Sequence, residues 1–198
     1  MDQMKLGAVS FCTEETLSPD VLAHEVEERG FESLFLTDHT HIPVSRVTDY
    51  PDAYGGGDLP EFYKRTYDLF VSLSAAAAST TSLKLGTGIC LVGQRDPIVT
   101  AKEVASLDSL SGGRLAAFGV GFGWNRDEME AHGTEFKSRR ELARDRVEVM
   151  RALWRDEVAS FEGQFESLAP SWAWPKPTAV PRVYLGGGGP KTMKHAAE

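Results

Sequence analysis

The stretch from Leu83 to Gly123, LKLGTGICLVGQRDPIVTAKEVASLDSLSGGRLAAFGVGFG, constrains the fold more than any other. An apolar strand from Leu83 to Leu91 runs into a Gly-rich polar segment, and Pro97 opens an amphipathic helix to about Leu110. Ser111-Gly112-Gly113 stops that helix. A second apolar strand, Arg114 to Val120, then ends among glycines at positions 119, 121 and 123. The connection is too long for a hairpin, so the two strands are expected to lie parallel. In parallel α/β folds ligands gather at the carboxyl ends of strands, where glycines let backbone approach closely.

The flanking chain repeats this unit. Lys5 to Cys12 reads as a buried first strand, and Ser18-Pro19-Asp20 opens a helix that Gly30 stops. Phe31 to Thr37 is a second apolar strand, delivering Asp38-His39-Thr40-His41 at its carboxyl end. A long loop to about Pro60 follows, rich in Pro, Gly, Tyr and Asp, of the kind that is either a functional lid or disordered. Tyr67 to Ser79 is a helix whose run Ala75–Ala78 permits close packing. Beyond Gly123 a polar segment, WNRDEMEAHGTEF, precedes a long helix from about Ser138 to Trp154. Between Lys137 and Arg155 stand seven Lys/Arg against three Asp/Glu, as on a solvated helix face laced with ion pairs. Val158 to Leu168 alternates around Gly163 and reads as a short hairpin. Arg182 to Leu185 is a fifth apolar strand, ending in Gly186–Gly189 and a helix from about Pro190. Five β–loop–α units result, whereas a (β/α)₈ barrel takes about 250 residues.

Composition narrows the function. The formal charge of −8 argues against nucleic acid as a partner, because phosphate backbones need a net basic face. No apolar run reaches the roughly 18 residues of a membrane span, and MDQMKLGAVSF carries no signal-peptide pattern, so a cytoplasmic enzyme acting on a small molecule is expected. Cys12 and Cys90 fall in apolar strands and read as core residues.

Asp38-His39-Thr40-His41 is the sharpest chemical feature. A carboxylate beside an imidazole at a strand's end can orient it for proton transfer. His-x-His could also offer two metal ligands, but no other strand end supplies a His or Cys, and no metal is expected. Gly86-Thr87-Gly88-Ile89 places glycines inside a central strand, which marks either a bulge facing a ligand or a tight fit to neighbours. Gly119-Val-Gly121-Phe-Gly123 lacks the full dinucleotide fingerprint, so a Rossmann reading is rejected. Gly186–Gly189 before a helix could present free N–H groups to phosphate, or be a simple turn. Arg95-Asp96-Pro97 reads as the turn into the third helix, with Asp96 as its cap.

Taken together, GFESLFLTDHTHIP, LKLGTGICLVGQRDPIVTAKEVASLDSLSGGR, GVGFGWNRDEMEAHG and VYLGGGGPKT resemble the luciferase-like monooxygenase superfamily, in its coenzyme F420-dependent oxidoreductase branch. The resemblance implies a luciferase-like (β/α)₈ barrel, here one partial domain over residues 1–198, with a long loop at about 40–60 and an insertion at about 156–180. It implies a homodimer that binds F420, or alternatively FMN, at the carboxyl ends of the strands. Asp38 and His39 match the pair beside the ring's reactive edge, with His39 as proton carrier and Asp38 supporting it. Gly88 and Ile89 match the bulge behind the ring, which in F420 members commonly holds a non-prolyl cis peptide. Gly121, Phe122, Gly123 and Trp124 match the loop flanking the ring, and Gly187, Gly188 and Gly189 match the phosphate loop. The basic helix from Lys137 gains a role toward the phosphorylated, polyglutamylated F420 tail. The implied activity is hydride transfer between the deazaflavin and a small organic substrate, with an FMN-dependent monooxygenase as the alternative. Members usually continue through three further strands and helices, so a truncated, non-catalytic remnant is a second alternative, and a metal-dependent barrel hydrolase a third.

Overall fold

A computed structural model describes residues 4–187 and 190–197. Gly188 and Gly189, two of the expected phosphate-loop residues, lie outside the described residues. In chain order the elements are β1 (Gly7–Ser10), α1 (Pro19–Glu28), β2 (Ser33–Leu36), α2 (Leu69–Ser79), β3 (Lys84–Cys90), α3 (Pro97–Leu110) and β4 (Leu115–Val120). After them come α4 (Arg126–Ala131), α5 (Arg139–Arg155), β5 (Ala159–Glu162), β6 (Ser167–Ser171), β7 (Val183–Leu185) and α6 (Pro190–Ala197).

Five strands form one parallel sheet in the order β1-β2-β3-β4-β7, and β5 pairs with β6 as a separate antiparallel hairpin. Parallel pairing follows from the helical crossovers, which carry the chain back to the same end of the sheet each time. The strands of the parallel sheet therefore deliver their following loops to one rim. The first strand corrects one expectation: β1 is an edge strand, and Val9 is 69% exposed. Among the described residues its apolar sequence is paired along one side only, with β2.

Local signals set the helices. Asp96 Oδ1 accepts from Val99 N at 2.8 Å, with Pro97 in the first turn of α3. Asp68 caps α2 in the same way, accepting from Phe70 and Val71 N–H at 3.0 Å each. Gly30, at φ 75°, ends α1 in the left-handed region that other residues resist. Where α1 meets α2, Ala76 is fully buried, and Ser79 Oγ donates to Asp20 O at 2.9 Å. Helix α5 buries Ala143, Val147, Met150 and Trp154, the last donating from Nε1 to Ala101 O of α3 at 3.0 Å. Cys12 and Cys90 are free thiols in this core.

Candidate active site

A cleft of about 430 Å³ opens along the rim where the strands end. Asp38, His39, Gly88, Ile89, Phe122, Gly123, Trp124 and Gly187 all line it. Residues far apart in sequence thus meet there because β2, β3, β4 and β7 are parallel neighbours.

The floor is an irregularity in β3. Pairing with β4 slips between Thr87 and Cys90, and the Gly88–Ile89 peptide is cis. The side chain of Ile89 occupies the space that glycines on its neighbours leave open. A Cβ at Gly121 would come to 1.7 Å from Ile89 Cδ1, and one at Gly186 to 3.0 Å from Ile89 Cγ2. Gly121 itself does not line the cleft; its contribution is this vacated volume. Gly86 yields its space to the Phe35 ring, which a Cβ would meet at 2.4 Å. Gly123, at φ 74°, turns the chain over Met129 and brings Trp124 back to the cleft.

Asp38 and His39 take separate partners. Asp38 is buried and accepts three hydrogen bonds: from Arg95 Nε at 2.8 Å, from Arg95 Nη2 at 2.7 Å, and from Leu91 N at 2.9 Å. This two-pronged pair ties the end of β2 to the loop after β3. Asp68, at 2.9 Å from Arg95 Nη2, extends the network to the cap of α2. Burial lowers the Arg95 pKa, but its carboxylate partners, Asp38 first, outweigh that and hold it above the ordinary value. The expected support of His39 by Asp38 is therefore corrected, because the Asp38 carboxylate is turned to Arg95.

His39 pairs with Glu128. Its Nδ1 lies 3.0 Å from each Glu128 carboxylate oxygen, and Glu128 is fully buried. The polar segment after Gly123 makes this possible by folding into α4, where Asn125 caps the helix and accepts from Glu128 N at 3.4 Å. A carboxylate on Nδ1 fixes the ring's tautomer and leaves Nε2 as the atom able to exchange a proton. His39 is 8% exposed, flanked edge-on by Tyr63 at 4.9 Å and by Trp124 at 6.5 Å. Tyr50 and Tyr63 complete this aromatic wall, their hydroxyls 3.3 Å apart. Burial, and then the bond to Tyr50, hold the Tyr63 phenol above its usual pKa.

The His-x-His pair does not converge. His41 and His132 instead share the Thr40 hydroxyl, at 3.1 and 2.6 Å. The loop over residues 40–60 is tied to α4, since Val47 N, Thr48 N and Thr48 Oγ1 donate to Asp127 at 3.2, 3.1 and 2.7 Å.

Sequence reasoning missed Glu128 as the partner of His39, and Tyr54 and Tyr63 as cleft aromatics. The one available signal for Glu128 was its place three residues after a helix-capping Asn.

Residues 21–198 match the luciferase-like monooxygenase family. The chain belongs to this family. An uncharacterized protein of Mycobacterium tuberculosis is 42% identical over 197 residues, covering 98% of this chain and 69% of that protein. The F420-dependent glucose-6-phosphate dehydrogenase of Kineococcus radiotolerans is 30% identical over 200 residues, covering 98% of this chain and 53% of that enzyme. Among solved structures, monooxygenase RslO1 from Streptomyces bottropensis superposes with a TM-score of 0.75 at 27% identity, over 92% of this chain and 53% of that one. This luciferase-like chain thus spans about half the length of the last two, and its parallel sheet is that of the family's barrel.

Proposed function

We propose that the chain is an F420-dependent oxidoreductase, moving hydride between the deazaflavin and a small organic substrate, with His39 as the proton carrier. The observation that carries this reading is the His39–Glu128 pair, set in the cleft wall with the Gly88–Ile89 bulge in the same cleft. The 30% identity to an F420-dependent dehydrogenase over nearly the whole chain supports the cofactor choice.

The residues present fit such a group. The bulge exposes backbone without a side chain at Gly88, which suits a flat ring. Thr37 Oγ1 and Trp124 Nε1 are buried, belong to cleft-lining residues, and have no hydrogen-bond partner among the described residues. Buried polar groups of that kind are costly unless a ligand completes them.

Bound there, F420 would supply two-electron hydride chemistry. The chain's own residues supply position and proton traffic. Gly88, Ile89 and Trp124 confine the cleft occupant. Tyr63 and Trp124, backed by Tyr50, exclude water from the side of His39. Glu128 holds Nδ1–H, so that Nε2 gives or takes the proton that accompanies hydride transfer. Asp38 and Arg95 hold the backbone on which His39 stands.

The test is titration of the protein with F420 and with FMN, followed by fluorescence. Saturable F420 binding in the micromolar range, tighter than FMN, is expected. Binding of FMN alone would replace this reading with a flavin-dependent monooxygenase, and binding of neither by folded protein would leave the cleft without a redox role.

A further inference from the structure

We propose that His41 and His132 form a two-imidazole site for a transition-metal dication of the Zn²⁺ class, and that the bound metal clasps the 40–60 loop to α4. This goes beyond the cofactor reading and does not depend on it, because neither histidine is among the described residues that line the cleft.

The two rings come together at Thr40. His41 Nδ1 lies 3.1 Å and His132 Nε2 2.6 Å from the same Thr40 Oγ1, so one nitrogen of each ring is aimed at one small region. The ring centres are 5.2 Å apart, with their planes at 62°. Two imidazoles on one metal, each bound through nitrogen at about 2.1 Å and at a near-tetrahedral angle, have centres roughly 5 Å apart. The observed separation is that of a chelating pair. The Thr40 hydroxyl has one proton to offer two imidazoles, so it satisfies at most one ring lone pair, whereas a dication takes both.

Position and charge agree with this. His41 and His132 are both exposed, so a hydrated ion reaches them. Residues 125–135 carry four carboxylates, Asp127, Glu128, Glu130 and Glu135, against one arginine, which favours a cation there. Among the described residues no third His, Cys, Asp or Glu completes a cluster. Two nitrogens, with the Thr40 hydroxyl and water for the remaining positions, suit Zn²⁺, Ni²⁺ or Cu²⁺ rather than Mg²⁺ or Ca²⁺, which take oxygen ligands.

The consequence comes from what stands beside the pair. The same two chain segments meet twice, at the buried His39–Glu128 pair and at the exposed His41–His132 pair. His132 caps the carboxyl end of α4, about one helical turn beyond Glu128. A metal on the outer pair therefore holds the inner pair together. It joins the end of α4 to the start of the 40–60 loop, whose other tie to α4 runs from Val47 and Thr48 to Asp127.

The experiment uses the untagged full chain, cleared of metal with a chelator, and titrates Zn²⁺, Ni²⁺ and Mg²⁺ by calorimetry. The proteins are wild type, His41→Ala, His132→Ala, the double variant, and His24→Ala as a control, because His24 stands exposed on α1. Thermal unfolding without metal confirms that each variant folds. Wild type should bind a single equivalent of Zn²⁺ or Ni²⁺ and no Mg²⁺. Either single variant should bind more weakly by at least roughly tenfold. The double variant should be little worse than either, since both rings serve one ion. His24→Ala should match wild type. Zn²⁺ should also slow proteolytic cutting between residues 40 and 60 in wild type and not in the His41 or His132 variants. No saturable binding by wild type overturns the proposal. Binding that persists in the double variant, or falls equally in His24→Ala, means an adventitious ion only and also overturns it. Binding that needs both histidines but leaves the cutting rate unchanged overturns the clasp.

Discussion

Both carboxylate oxygens of Glu128 lie 3.0 Å from Nδ1 of His39, across 89 residues of sequence. An acceptor on one ring nitrogen decides which nitrogen can exchange a proton, so the pair behaves as one unit. Replacing His39 with Ala should lower turnover on the order of 10²–10⁴-fold with cofactor affinity little changed. Glu128→Gln should give a smaller loss, since it keeps an acceptor for Nδ1–H and gives up its charge, and Glu128→Leu a larger one. Steady-state kinetics beside cofactor titration checks this; normal turnover by the His39 variant would remove His39 from the mechanism.

Asp38 should matter chiefly to stability. It is buried and its carboxylate is engaged by Arg95 and Leu91 N–H. Asp38→Asn leaves the Arg95 charge to Asp68 and Glu103, so the loss should be smaller than the about 3–5 kcal/mol of a buried charge left unpaired. Asp38→Leu/Arg95→Met, which removes both charges, should be less destabilised than the sum of its single changes. Urea unfolding of the four proteins measures this coupling.

Gly121→Ala should be disruptive despite its small size. The added Cβ would fall 1.7 Å from Ile89 Cδ1, so the strand or the isoleucine must shift. Overpacking of this kind costs about 1–3 kcal/mol. Gly121→Ala/Ile89→Ala should recover part of that loss in denaturant unfolding, and no recovery would mean that the clash is not with Ile89.

Glu27 predicts an acid-sensitive contact at the base of β3. Its carboxylate accepts from the backbone N–H groups of Thr81, Ser82 and Leu83 and from the Ser82 hydroxyl, at 3.0, 2.6, 2.8 and 2.9 Å. Burial alone would raise its pKa, but these donors outweigh it and bring the value down to about 2. With the folded value below the ordinary 4.5, the stabilisation is complete above that pH and is lost as pH falls towards 2. Glu27→Gln should therefore lower the unfolding midpoint near pH 7 and converge on wild type near pH 2. The site is well solvated, so the difference is a modest one.

Asp127 should govern access to the 40–60 loop. Removing its carboxylate with Asp127→Ala deletes three bonds to Val47 and Thr48. Limited proteolysis should then cut between residues 40 and 60 faster than in wild type, with the bonds around the sheet unaffected.

Much of the fold was legible because its signals are local. Pro97 after Asp96 and Gly30 after α1 each act within a turn of chain, and those helices begin and end on them, whereas the reading of a helix from Tyr67 overlooked Asp68, the cap of α2. The assignment of Asp38 as partner to His39 failed for a physical reason: consecutive residues leaving a strand send their side chains to opposite sides. Adjacency in sequence therefore predicted separation in space. Glu128 was illegible because its neighbours in WNRDEMEAHG are charged and suggest a solvated segment. Its burial depends on where α4 settles over the rim, which no local pattern encodes.

The crowding of Ile89 by Gly119, Gly121 and Gly186 has an evolutionary corollary. These positions, drawn from three neighbouring parts of the sheet, share one small volume and cannot vary independently. Lineages in which residue 89 shrinks should be free to acquire alanine or serine at 121 or 186. Lineages that keep a branched residue there should hold the glycines fixed, so reciprocal size changes at 89 and 121 would trace the history of this cleft floor.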